Sequence, residues 1–140
     1  MAIIGVTMKK IFISLLLAVS LHSFAECDVF LEEVNTCVEY NWTEGPYLNV
    51  GPARDFSELS VKFFDADDAS EAAIDKEFIE VLPWMIMPNM QHGTRPVVTT
   101  ELNDGSYLIS KILMRKMMGY WEIRFIDSRD KTVLGLFKVQ

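Results

Sequence analysis

The chain has 140 residues, two cysteines and a formal net charge of −7, and half of its residues are hydrophobic. That length suits one domain of common size with a core of its own. The acidic balance argues against a nucleic-acid partner and against anionic membrane surfaces, which select basic proteins.

The N-terminus reads as a secretory leader. Lys9 and Lys10 precede an apolar run from Ile11 to Leu21, broken only by Ser14 and Ser20. Ser23 and Ala25 then stand at the −3 and −1 positions of a cut after Ala25. The run of about 11 residues falls short of the ~20 that a membrane helix needs, so a retained anchor is the weaker reading. A lipoprotein is weaker still, because acidic Glu26 precedes Cys27 where a small residue is expected. Met8-Lys9-Lys10 has the form of a signal start, which would leave residues 1–7 upstream of the true initiator. The expectation is a helical signal peptide over 1–25 and a single domain over 26–140, exported to the periplasm with no membrane span left after cleavage. Two of the 13 Lys and Arg and none of the 20 Asp and Glu lie in the leader, so the remainder sets 11 cations against 20 anions, a net charge of −9.

Cys27 and Cys37 are an even pair in an exported chain, which predicts a local disulfide; a thiol metal site is the alternative. Cys37 to Trp42 alternates with period two, and Leu59 to Phe64 reads as a second strand followed by a turn at Asp65 to Asp68. Asp67 to Lys76 is the one stretch with helical character, short and polar enough to be a loop with a turn or two of helix. Phe78 to Leu82 alternates and runs on to Met87. Val97 to Leu102 precedes the turn residues Asn103-Asp104-Gly105, and Tyr107 to Leu113, Trp121 to Ile126 and Val133 to Val139 complete the set. About seven strands at this spacing predict an all-β fold, an immunoglobulin-like antiparallel β-sandwich, with a small barrel as the alternative. The inter-sheet disulfide of that fold is missing, since Cys27 and Cys37 are too close in sequence.

Chemistry-bearing residues are unevenly placed. The six methionines beyond the leader fall in two clusters, Met85, Met87 and Met90, then Met114, Met117 and Met118, and His92 stands two residues after Met90. Thioether sulfur is a soft, neutral ligand that suits Cu(I) and matches Zn(II), Ca(II) or Mg(II) poorly. Methionine is also a flexible core filler. Met85, beside Trp84 on an apolar strand, reads as core before ligand, and Met114 after Ile112-Leu113 could equally be core. Met87, Met90 and His92 flank Pro, Asn, Gln and Gly, where core filler rarely clusters, and read as ligands. Met117 or Met118 would close the site, and alternation does not choose between them. Trp84 and Trp121 are expected as its apolar shell.

The run Trp84-Met85-Ile86-Met87-Pro88-Asn89-Met90-Gln91-His92-Gly93, followed by Met117-Met118-Gly119-Tyr120-Trp121, resembles the FixH/YtkA-like family. That family's Met-x-Met-Pro-x-Met-x-His segment is met at Met85, Met87, Pro88, Met90 and His92. Its Met-Pro-Gly-x-Trp segment is met at Met118, Gly119 and Trp121, without the proline. The resemblance covers about residues 59–126. It implies an exported or tethered β-sandwich that handles copper, with an envelope copper protein or an oxidase-assembly factor as partner.

Catalysis is not expected. The lone histidine beyond the leader has no nucleophilic cysteine beside it, and there is no Gly-x-Ser-x-Gly segment and no phosphate-binding glycine loop. Asp65, Asp67 and Asp68 provide too few oxygens and no EF-hand spacing for Ca(II). The rival to copper handling is a non-catalytic exported interaction module whose Met-rich loops bind another envelope protein without metal. A structural domain with no ligand is a weaker third reading.

Overall fold

The computed structural model describes residues 27–47, 55–116 and 118–140, so the leader expected at 1–25 and Met117 lie outside the described residues. Nine strands appear among them: β1 (Val29–Leu31), β2 (Thr36–Glu44), β3 (Ser57–Asp65), β4 (Ile79–Ile86), β5 (Gln91–Gly93), β6 (Val98–Glu101), β7 (Tyr107–Ile112), β8 (Tyr120–Asp127) and β9 (Val133–Lys138). One antiparallel sheet has the order β1-β2-β3-β7-β6 and the other β5-β4-β8-β9. From β2 on, that is the A-B-E-D sheet facing the C′-C-F-G sheet of the immunoglobulin Greek key. The all-β sandwich matches the expectation.

Seven of the nine strands coincide with the periodic segments of the sequence. The two additions, β1 and β5, have three residues each. Three residues are too few to show a period, and tertiary pairing alone defines them. The Asp67 to Lys76 stretch contains turns and no helix. Carboxylates at its start turn the backbone: Asp65 Oδ1 accepts the Asp67 N–H at 2.8 Å, and Asp68 Oδ1 accepts the Ser70 N–H at 3.0 Å. Such Asx turns compete with helix for the same donors.

Alternation places the core. On β4, Ile79, Val81, Pro83 and Met85 point inward while Glu80, Leu82, Trp84 and Ile86 are half-exposed. Leu59, Val61 and Phe63 of β3 meet Ile123 and Phe125 of β8 across the layer. Full burial of side chains of this size contributes roughly 1.5–3 kcal/mol each. Phe63 and Phe125 make an edge-to-face contact, centroids 6.2 Å apart, between the two strands that a disulfide links in antibody domains. Cys27 and Cys37 instead form a local disulfide, with Cα atoms 5.2 Å apart, which ties the segment before β1 to β2.

Candidate metal centre

The first methionine cluster folds into a hairpin. β4 and β5 pair Trp84 with Gly93, Met85 with His92 and Ile86 with Gln91. The Met87 N–H then donates to the Met90 carbonyl at 2.8 Å, which leaves Pro88-Asn89 as a two-residue loop. Residues opposite each other in an antiparallel pair share a face, as do residues i and i+2 of one strand. Met85, Met87, Met90 and His92 therefore lie on one face of the hairpin. It is the inward face, since Met85 is part of the core.

Exposure grades along that face. Met85 is 3% exposed, Met87 is half-buried against the core, and Met90 at the tip is 58% exposed. His92 is exposed because β5 is an edge strand. Its Nδ1 lies 2.7 Å from the Gly93 carbonyl oxygen. A carbonyl accepts only, so Nδ1 is the donor of this contact, and in the neutral tautomer Nε2 keeps its lone pair. A carbonyl partner of this kind fixes the orientation of many metal-binding imidazoles.

Met85 and His92 line one cleft of about 140 Å³ with Thr94, Leu113, Arg115 and Trp121. Trp121 is opposite Met85 on β8, so His92, Met85 and Trp121 form one row across the sheet. The Trp121 Nε1–H donates to the Arg115 carbonyl at 2.7 Å, which holds the indole beside the cleft. Arg115 brings a positive charge to the rim, but its side chain is exposed, where water and salt screen it. The involvement of Thr94, Leu113 and Arg115 was not legible in the sequence, because they carry no metal-ligand pattern and reach the cleft only through the fold.

Glycine brings Met118 of the second cluster to the same end. Gly119 has φ +103°, and a Cβ there would lie 2.0 Å from the Ile86 carbonyl oxygen and 3.1 Å from the Met87 Cα. Only glycine combines that backbone angle with that approach. The Met118-Gly119 turn thus abuts the end of β4. Met118 is 78% exposed. Met114 is fully buried and belongs to the core.

Trp84 departs from its expected place. It pairs with Gly93 and Glu122 on the outer face of the sheet, opposite to Met85. Its Nε1–H donates to Gln91 Oε1 at 2.9 Å, and the Arg124 guanidinium sits 4.9 Å from its ring. Strand alternation makes Trp121, and not Trp84, the indole beside the cleft.

Among the described residues no three His, Cys, Asp or Glu side chains converge as metal ligands, so what the fold gathers is thioether and one imidazole. The Asp65, Asp67 and Asp68 oxygens serve their turn and the Asn35 side chain, whose Nδ2 donates to Asp67 at 2.9 Å. Also among the described residues, no helix is long and apolar enough to cross a membrane. Comparison with known protein families, with curated proteins and with solved structures finds no match.

Proposed function

We propose that this is an exported, non-catalytic copper-binding protein that buffers Cu(I) or delivers it to a partner in the periplasm. The observation that carries the reading is the hairpin register, which sets Met85, Met87, Met90 and His92 on one face, with the Gly93 carbonyl engaging Nδ1 of His92 and not Nε2. Thioether and imidazole donors suit Cu(I), and neither depends on a reduced thiol. The disulfide of Cys27 and Cys37 fits an oxidising compartment and takes both thiols out of the ligand set. Met118, from the adjoining turn, or Met117, which lies outside the described residues, would complete coordination, and Trp121 would exclude water. The resemblance of Met85 to His92 and Met118 to Trp121 to the FixH/YtkA-like pattern supports the same assignment, with an envelope copper protein or oxidase-assembly factor as recipient.

Titration of the purified protein with Cu(I) against a competing chelator tests this. The Met87→Leu, Met90→Leu, His92→Ala triple variant should lose about 100-fold or more in affinity, the upper range for disrupting a metal-supporting group. Unchanged affinity would remove the site.

One observation favours the rival interaction module: Met90, Met118 and Tyr120 are exposed, at 58%, 78% and 36%, near one end of the sandwich. Soft, adaptable thioethers also suit protein contacts. Absence of any Cu(I) uptake by the wild-type chain would leave that reading in place.

A further inference from the structure

The strand position beside β4 is only half filled. β5 covers Trp84 to Ile86, while Ile79 to Pro83 has β8 on one side and no strand among the described residues on the other. Backbone direction follows from the bonds. The Met87 N–H points to the β5 side, and alternation carries that direction to Met85, Pro83, Val81 and Ile79. The opposite set agrees, since the Phe78 carbonyl accepts the Ser128 N–H on the β8 side. The Ile79 N–H is used by the Lys76 carbonyl at 2.8 Å. What faces the open edge is therefore the Val81 N–H and the carbonyls of Ile79, Val81 and Pro83. Pro83 has no N–H to lose there, which is where a strand tolerates proline.

Directly under this edge lies a groove of about 250 Å³, open between β4 and β6. Its floor is Phe63, Val81 and Ile109, and its rim carries Lys76, Glu77 and Glu101. An added strand would present alternate side chains to this floor while its backbone met Val81. The groove lies at the Ile79 end of β4, the cleft of Met85 and His92 at the other end, so the two sites are distinct.

We infer that Ile79–Pro83 is a docking edge for an extended segment of a partner protein, apolar at alternate positions and flanked by lysine or arginine. Charge selects this occupant. Glu77 and Glu101 enter no ion pair among the described residues. The rim's cation, Lys76, is drawn over the Phe78 ring at 5.2 Å. A second copy of the chain is a poor occupant. It would bring the same acidic rim and the same negative net charge, and antiparallel self-pairing about Val81 would set Pro83 opposite Ile79.

The test is amide NMR on the protein with two synthetic peptides, each of alternating valine and threonine, one flanked by lysines and one by glutamates. The Val81 amide should exchange rapidly in the free protein and become protected with the lysine peptide. Shifts should gather at Ile79 to Leu82, Thr99 and Glu101. Reversing two exposed charges in Glu77→Lys, Glu101→Lys should weaken binding about tenfold while leaving the spectrum folded. Equal binding of both peptides, shifts elsewhere, or no binding would overturn the inference. So would protection of Val81 that rises with protein concentration alone, which would assign the edge to a second copy.

Discussion

Met85 and Met90 share a hairpin face, and burial separates what each contributes. Met85 is packed in the core, so Met85→Ala should cost about 2–5 kcal/mol in urea denaturation, while Met90→Leu at the exposed tip should stay within about 0.5 kcal/mol. A Cu(I) defect in the Met90 variant is therefore a ligand effect, whereas one in the Met85 variant is not separable from folding. Gly119 is the second decisive residue. Gly119→Ala would force a Cβ against the Ile86 carbonyl at a positive φ, and a loss of about 1–3 kcal/mol is expected by the same measurement. An unchanged midpoint would show that the Met118 turn does not rest on β4. The sequence singled out Met87, Met90 and His92 because ligand-type residues stood among turn residues. It misplaced Trp84, because a local run of apolar residues does not reveal which face each one takes.

The hairpin of β4 and β5 is the element that turns a cluster in sequence into a face in space. β4 was legible, since Ile79, Val81 and Met85 alternate with Glu80, Leu82 and Trp84. β5 was not: Gln91-His92-Gly93 is polar, short and without β-propensity, and it is a strand only because β4 supplies its partner. The disulfide acts at the same scale. Cys27 and Cys37 are 10 residues apart and flank β1, the least extensive edge of its sheet. In the chain-entropy account a loop of that size contributes roughly 2–3 kcal/mol. Reduction, or the paired change to serine, should lower the unfolding free energy from urea denaturation by that amount while the spectrum of the β-sandwich persists. Loss of all folded signal would mean that β1 and the disulfide support the whole core.

Across the whole molecule, the pH response follows from phenols held neutral. Burial, then the bond it donates to Asp75 at 2.7 Å, pushes the Tyr107 phenol from 10.0 up to about 12. Burial also raises Tyr40, with Asp28 adding to it, and raises Tyr47. A folded-state value above the unfolded one means stability that is complete below pH 10 and lost as pH rises toward 12. Thermal melts should fall over that window, and Tyr107→Phe should flatten the fall while lowering stability at neutral pH. A Tyr107→Phe profile as steep as the wild type would place the alkaline response elsewhere. At the acid end, hydrogen bonds from Ser70, Ser106 and Arg129 hold Asp68, Asp104 and Asp127 below the usual carboxylate range. That stabilisation is lost as pH falls through those lowered values.

The sequence by itself determined the sandwich, the local cysteine pair and the clustering of thioether and imidazole side chains, because strand period, cysteine spacing and side-chain chemistry are local properties. Only the tertiary structure decided that His92 lies opposite Met85, that Gly119 seats the Met118 turn against the end of β4, and that Ile79 to Pro83 keeps an open edge among the described residues. Those are matters of register and of which strand stops short, and both are set by pairing between segments far apart in the chain.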